Sequence, residues 1–212
     1  MRIAKVGTVI IEGIPGSGKT TLTELIRNGL EGTDNVVLDK NSPAITASKK
    51  LHALLGSEGN PISNALLYQA LRWASLEPIS NKHDFVVINQ FLHSCLANIL
   101  AYARTKKIKI NEEQTRAFIF RPFGLDLNLF DERTYTILLD CEPEEVRRRL
   151  ESSDRTDNPY VELKFLREAR SVLLEEIGYL RSPKIIMRGD YKLADVADVA
   201  ISHVRSLQRQ AA

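Results

Sequence analysis

An α/β fold built on a parallel sheet is what this sequence predicts, and three observations carry that expectation. Short β-branched runs recur along the chain, and amphipathic helical patterns lie between them. Such alternation calls for crossover helices that leave successive strands parallel. The third observation is size: 212 residues, 43% of them apolar, can bury one sizeable core but are cramped for two at about 150 residues per domain. We expect a single domain spanning residues 1–212, with no linker, internal repeat or low-complexity stretch to divide it.

The strand-sized runs are Val6–Ile11, Val36–Leu38, Phe85–Ile88, Tyr135–Leu139 and Lys184–Met187. After the first, Leu22, Leu25, Ile26 and Leu30 recur at helical spacing and present one apolar stripe, with Gly29 and Gly32 marking its end. Asn60-Pro61 is a helix start, cap followed by proline in the first turn, for a helix ending near Glu77 before Pro78. Phe91–Ala103 is an apolar helical candidate, and residues 111–133 read as one helix followed by an irregular stretch around Arg121-Pro122-Phe123-Gly124. Glu142-Pro143 opens a helix through Leu150. Leu163, Leu166, Ala169, Leu173 and Leu174 form the buried stripe of a long helix, and Leu193–Gln208 is an amphipathic closing helix. Thr33–Asn35 and Gly56–Asn60 are connections within the domain.

Composition excludes several classes. With 29 basic and 27 acidic residues the net charge is +2, too small for a protein that holds nucleic acid polymers by neutralising phosphates. Phe91–Ala103 falls well short of the roughly 20 apolar residues of a membrane span and contains His93, Ser94 and Asn98. Arg2 and Lys5 precede an apolar run that stops at Glu12 and leads into glycines rather than a cleavage site, so no signal peptide is expected. Cys95 and Cys141 form neither a C-x-x-C pair nor a disulfide framework, which suits a reducing, cytoplasmic setting.

The strongest chemical signal is Gly13-Ile14-Pro15-Gly16-Ser17-Gly18-Lys19-Thr20, an unbroken G-x-x-x-x-G-K-[ST] between the first strand and the first helix. Glycines there let successive backbone N–H groups converge on a phosphate at the positive end of the helix. Lys19 adds a mobile charge and Thr20 is the Mg²⁺ ligand. The nucleotide-binding set is therefore Gly13, Pro15, Gly16, Ser17, Gly18, Lys19, Thr20 and Thr21, with ATP and Mg²⁺ as the expected cofactors. A glycine-rich turn that merely joins strand to helix is the plain alternative, and the loop argues for binding rather than for turnover.

The rest of the chain resembles the thymidylate kinase family of P-loop nucleoside monophosphate kinases. The run Leu66-Leu67-Tyr68-Gln69-Ala70-Leu71-Arg72-Trp73 is similar to a family helix of the form L-L-F-x-x-x-R. Phe85 to Phe91, through Ser94, occupies the place of the family's strand, D-R-Y motif and serine. Thr136–Asp140 with Pro143 and Glu144, then Asp154-Arg155-Thr156-Asp157 and the helix after Pro159, follow in the family's order. The resemblance implies a P-loop NTPase three-layer sandwich with five parallel strands, helices on both faces, and a short arginine-bearing lid at about residues 152–159. It implies transfer of the ATP γ-phosphoryl group to a nucleoside monophosphate, and a homodimer. Tyr68 and Arg72, four apart on one helix face, would hold the acceptor base, as the corresponding family residues do; without the resemblance, Tyr68 reads as core and Arg72 as a surface cation.

Three departures bear on the acceptor. The family's D-R-Y aspartate and arginine are here Asn89 and Gln90, the carboxylate usual inside the loop is Pro15, and Asp39-Lys40-Asn41-Ser42-Pro43 offers no sure counterpart of an arginine after strand two. An acceptor phosphate needs cations, for which Lys40, Lys49 and Lys50 are substitutes. The alternatives are a nucleoside or other neutral hydroxyl compound, with Asp39 as base, or a nucleotide-binding regulator that does not turn over. Arg155 in the lid is the first choice to stabilise the transferred charge, followed by Arg149 and Arg148, while Arg147 reads as a complement to its helix dipole. Asp154 and Asp157 are lid carboxylates that would orient magnesium-bound water or the acceptor. Asn89, Gln90 and His93 complete the acceptor candidates, with core packing as the plain reading of His93 and of Cys95. Asp140 reads as structural.

Overall fold

The computed structural model describes residues 7–30, 35–38, 85–120, 134–152, 162–180, 182–189 and 191–211. Five strands, β1 (Gly7–Gly13), β2 (Asn35–Leu38), β3 (Phe85–Asn89), β4 (Thr134–Asp140) and β5 (Lys184–Arg188), form one sheet in the order β2-β3-β1-β4-β5. Every pairing is parallel, with Ile11 opposite Asn89 on one side of β1 and Ile137 on the other. Six helices are described: α1 (Lys19–Gly29), α2 (Leu92–Thr105), α3 (Glu112–Phe120), α4 (Pro143–Glu151), α5 (Leu163–Tyr179) and α6 (Leu193–Ala211).

Side-chain alternation divides the core between the two faces of the sheet. Val9 and Ile11 of β1, with Val87, Ile137 and Leu139, pack against Leu22 and Ile26 of α1 and Val196, Ala200 and Val204 of α6. Ile10, Val86, Ile88 and Leu138 face the other way, onto Leu96 and Leu100 of α2 and Phe165, Leu166 and Leu173 of α5. The central strands are buried on both faces, which is why they read as continuous β-branched runs. The expected α/β architecture, a parallel sheet with helices on both faces, is the observed one.

The elements agree with the sequence reading to within a few residues. Helix α1 begins earlier than its apolar stripe, directly at Lys19, and α2 runs on to Thr105. Helix α3 starts where Asn111 Oδ1 accepts the Gln114 N–H at 2.9 Å. The helix expected over residues 60–77, the stretch around residues 121–124 and the lid beyond Ser152 lie outside the described residues. Among the described residues, no helix is long and apolar enough to cross a membrane.

Topology fixes where a ligand can enter. Helix α1, which follows β1, covers one face, whereas α2, which follows the adjacent β3, covers the other. Chain paths that part in this way open a crevice outside the carboxyl ends of β1 and β3. Elsewhere the helices are tied together by charge. Arg104 of α2 bonds Glu112 at 2.8 and 2.7 Å, and Arg116 of α3 pairs with the buried Glu176 of α5. Asp140 at the end of β4 accepts from Arg170 at 2.6 Å, with Arg188 at 3.4 Å, so its carboxylate joins β4 to α5 and β5 as the structural reading expects.

Candidate active site

The loop 13–20 bends by means of its glycines. Gly16 has φ +81° and Gly18 φ +97°, the left-handed region that side chains disfavour. A Cβ on Gly16 would lie 3.0 Å from both Leu150 and Val146 of α4, and one on Gly18 would lie 3.2 Å from Leu193. Gly18 is also the residue before the first turn of α1, which has no side-chain cap and no acidic residue near its start. The backbone N–H groups of that first turn and the helix dipole make this end receptive to an anion.

Lys19 is buried, and its ammonium donates to the Gly13 and Ile14 carbonyls, each at 2.8 Å. The Ser17 hydroxyl is also buried and has no protein partner among the described residues. Thr20 is half-buried one position further on, and Thr21 is exposed on α1. Across the crevice, Asn89 at the end of β3 donates its side-chain N–H to Thr20 Oγ1 at 3.4 Å. Gln90 follows with φ +66°, a conformation that non-glycine residues hold only when their surroundings impose it. Its N–H donates to the Ile11 carbonyl at 2.8 Å. The structure thus brings together the loop, Thr20, Asn89 and Gln90.

The sequence reading missed what lies beneath this turn. Glu12 is fully buried at the junction of β1 and the loop. Its carboxylate accepts from the Phe91 N–H at 3.3 Å and from the Ser94 hydroxyl. His93 Nδ1 lies 3.4 Å from its other oxygen. Burial pushes the Glu12 carboxyl upward, but the bonds and charge of His93, with Ser94 and Phe91, outweigh that and hold it below its ordinary 4.5. Glu12 had registered only as the end of an apolar run. The signal that could have exposed it is a carboxylate on a strand otherwise buried on both faces, which must find partners inside.

His93 is the acceptor candidate for which core packing is the plain reading. It is 0% exposed, paired with Glu12 and 5.4 Å from the Phe120 ring, so it belongs to the packed interior and does not line a surface an acceptor can touch. Arg149 stays near the loop by an unforeseen route. It donates to Glu145 at 2.8 Å and lies 4.0 Å from the Cys141 sulfur. That sulfur is 2.8 Å from Tyr191 Oη and 3.7 Å from the Ser17 carbonyl. Arg147 and Arg148 pair with Glu151 and Glu145 along their own helix, and Cys95 is core. Asp39, Lys40, Lys49, Lys50, Tyr68, Arg72, Asp154, Arg155 and Asp157 lie outside the described residues. No group of three or more His, Cys, Asp or Glu residues able to hold a metal ion occurs among the described residues.

Comparison with known proteins places this geometry in a family. A family model described as thymidylate kinase matches residues 11–196. A thymidylate kinase of Wolbachia pipientis is 32% identical over 97 residues, a match that covers 42% of this chain and 47% of the relative, so there the chain spans about half the relative's length. A probable thymidylate kinase of Pyrobaculum aerophilum is 28% identical over 204 residues, covering 93% of this chain and 97% of the relative. Among solved structures, the thymidylate kinase of Candida albicans superposes with a TM-score of 0.64 over 96% of this chain and 93% of its own, at 17% identity, a likeness of fold.

Proposed function

We propose, from the premise that this chain belongs to the thymidylate kinase family, that it is a phosphotransferase moving the γ-phosphoryl group of ATP to a nucleoside monophosphate. The observation that carries the reading is the convergence of the loop with its buried Lys19 and the Asn89–Thr20 contact at one crevice. By rotating its side chain, Lys19 exchanges the Gly13 and Ile14 carbonyls for phosphate oxygens. The loop N–H groups and the start of α1 hold the remaining donor charge. The acceptor enters from the β3 side, beside Asn89 and Gln90.

The donor set around Thr20 fits Mg²⁺. A hydroxyl and a neutral amide are too few and too weakly charged to form a dedicated cage, and they suit a cation that takes most of its ligands from water and nucleotide phosphates. Thr20 would hold it directly, with the Asn89 amide beside it. When bound, the ion neutralises charge on the β- and γ-phosphates. Arg155 from the lid, with Arg149 near the loop, stabilises the equatorial oxygens during transfer, and Tyr68 with Arg72 reads the acceptor base. The protein works as a single domain over residues 1–212, in the cytoplasm, and as a homodimer.

The test is ADP release from MgATP against paired acceptors, each nucleoside beside its 5′-monophosphate, with Lys19→Ala as the blank. Turnover with monophosphates alone is the expected result, reduced at least about a hundredfold in Lys19→Ala. Turnover with nucleosides alone, or ATP binding without turnover on any acceptor, would overturn it. The family match favours the monophosphate over both alternatives.

A further inference from the structure

We propose that Glu12 is a positioning residue that fixes the acceptor-side turn Asn89-Gln90-Phe91 against the phosphate loop. The inference rests on the kinase reading above for its catalytic consequence, but its structural content is independent of it.

Helix α2 begins without a cap of its own. Phe91 precedes its first turn, offers no side-chain hydrogen bond, and no acidic residue lies within that turn. The missing acceptor is supplied from another strand. Glu12 takes the Phe91 N–H and the Ser94 hydroxyl, both at the start of α2, and pairs with His93. A carboxylate at this end of a helix also meets the favourable pole of its dipole. The arrangement therefore caps α2 from outside it.

The same two residues of β1 hold the turn from both ends. Ile11 takes the Gln90 N–H through its carbonyl, and Glu12 takes the next N–H through its side chain. Between them Gln90 is kept at φ +66°, a conformation that a non-glycine residue holds only when neighbours impose it. Immediately before it, the Asn89 amide is set 3.4 Å from Thr20. Since Glu12 directly precedes Gly13, one residue sets both where the loop starts and where the acceptor edge lies. Errors of about 1 Å in such a spacing cost on the order of a hundredfold in rate.

The experiment uses the full chain, comparing wild type, Glu12→Gln and Ser94→Ala. Three quantities are read: amide hydrogen exchange at Gln90 and Phe91, with Val87 as the internal standard; ATP affinity; and acceptor KM and kcat. Glu12→Gln keeps shape but removes charge. We expect exchange at Gln90 and Phe91 to accelerate about tenfold with Val87 unmoved. Acceptor KM should rise about tenfold and kcat fall, with ATP affinity changing less than about twofold. Ser94→Ala removes one of the bonds and should move the same quantities less, and it decides the matter alone if Glu12→Gln does not fold. A loss of thermal stability with unchanged exchange at Gln90 and Phe91 overturns the proposal, as does faster exchange with an unchanged acceptor KM and kcat, or an equal loss of ATP and acceptor affinity. Failure of the kinase reading itself would appear in the wild type, as silence with every acceptor; exchange at the turn then decides the positioning role.

Discussion

Gly16 shows how much a single missing side chain contributes to this site. Its positive φ and the 3.0 Å approach of Val146 and Leu150 to a would-be Cβ act together. Gly16→Ala must either strain the loop or push α4 away, at a cost of about 1–3 kcal/mol. We expect a lower midpoint in urea unfolding and weaker ATP binding, because the same distortion misdirects the loop N–H groups; unchanged values on both would show that the loop is more tolerant than its contacts imply. At this scale the sequence was legible where function is written in consecutive residues. The spacing of Gly13, Gly16, Gly18, Lys19 and Thr20 identifies the loop because all five act locally. Glu12 was not legible, since the N–H it caps lies 79 positions further along and no local pattern joins them. The burial of His93 matches its plain reading as a packing residue, while its proximity to Asn89 and Gln90 in sequence could not show its partner Glu12.

At the scale of elements, charge docks helices that have little apolar surface to offer. Helix α3 buries only Ile119 and Phe120 and leaves Phe118 exposed. Arg116 fastens it to Glu176, which is 2% exposed on α5. Removing the arginine strands a buried carboxylate, so Arg116→Ala should cost about 2 kcal/mol, more than an exposed pair would. Thermal or urea unfolding measures this, and a change below about 0.5 kcal/mol would show that water reaches Glu176 once Arg116 is gone. The weak apolar stripe also explains why residues 111–133 were the least readable stretch. The central strands β1, β3 and β4 were clear by contrast, because strands covered on both faces cannot accommodate polar interruptions without partners.

Across the whole molecule, the buried and paired groups make stability depend on pH in a stated direction. Glu12 is held below 4.5 by bonds that outweigh its burial, and Glu112 is held low by its bond to Arg104, against a smaller opposing effect of burial. Above pH 4.5 these carboxylates are ionised in folded and unfolded chains alike, and their contribution is complete; it is lost as pH falls through the lower folded values. His203, stacked on Tyr135 at 4.2 Å, is held below 6.5 by burial. The unfolded chain gains its proton first, so a small decline begins as pH falls past 6.5. Thermal unfolding at fixed ionic strength should therefore show a shallow loss below 6.5 and a steep one below 4.5; a midpoint constant to pH 3 would contradict both assignments. The sheet order has a further consequence for how the chain is made. Strand β1 leaves the ribosome well before its neighbours in the sheet, since its Gly7 pairs with Phe85 and its Thr8 with Thr134. At about 5–20 residues per second the apolar strand waits on the order of ten seconds for its second neighbour, and until then the loop has no framework on its β4 side. The nucleotide cradle is thus encoded well ahead of the strand that completes it, so an interrupted chain ending at Phe120 carries the whole motif without the β4 strand that shapes it.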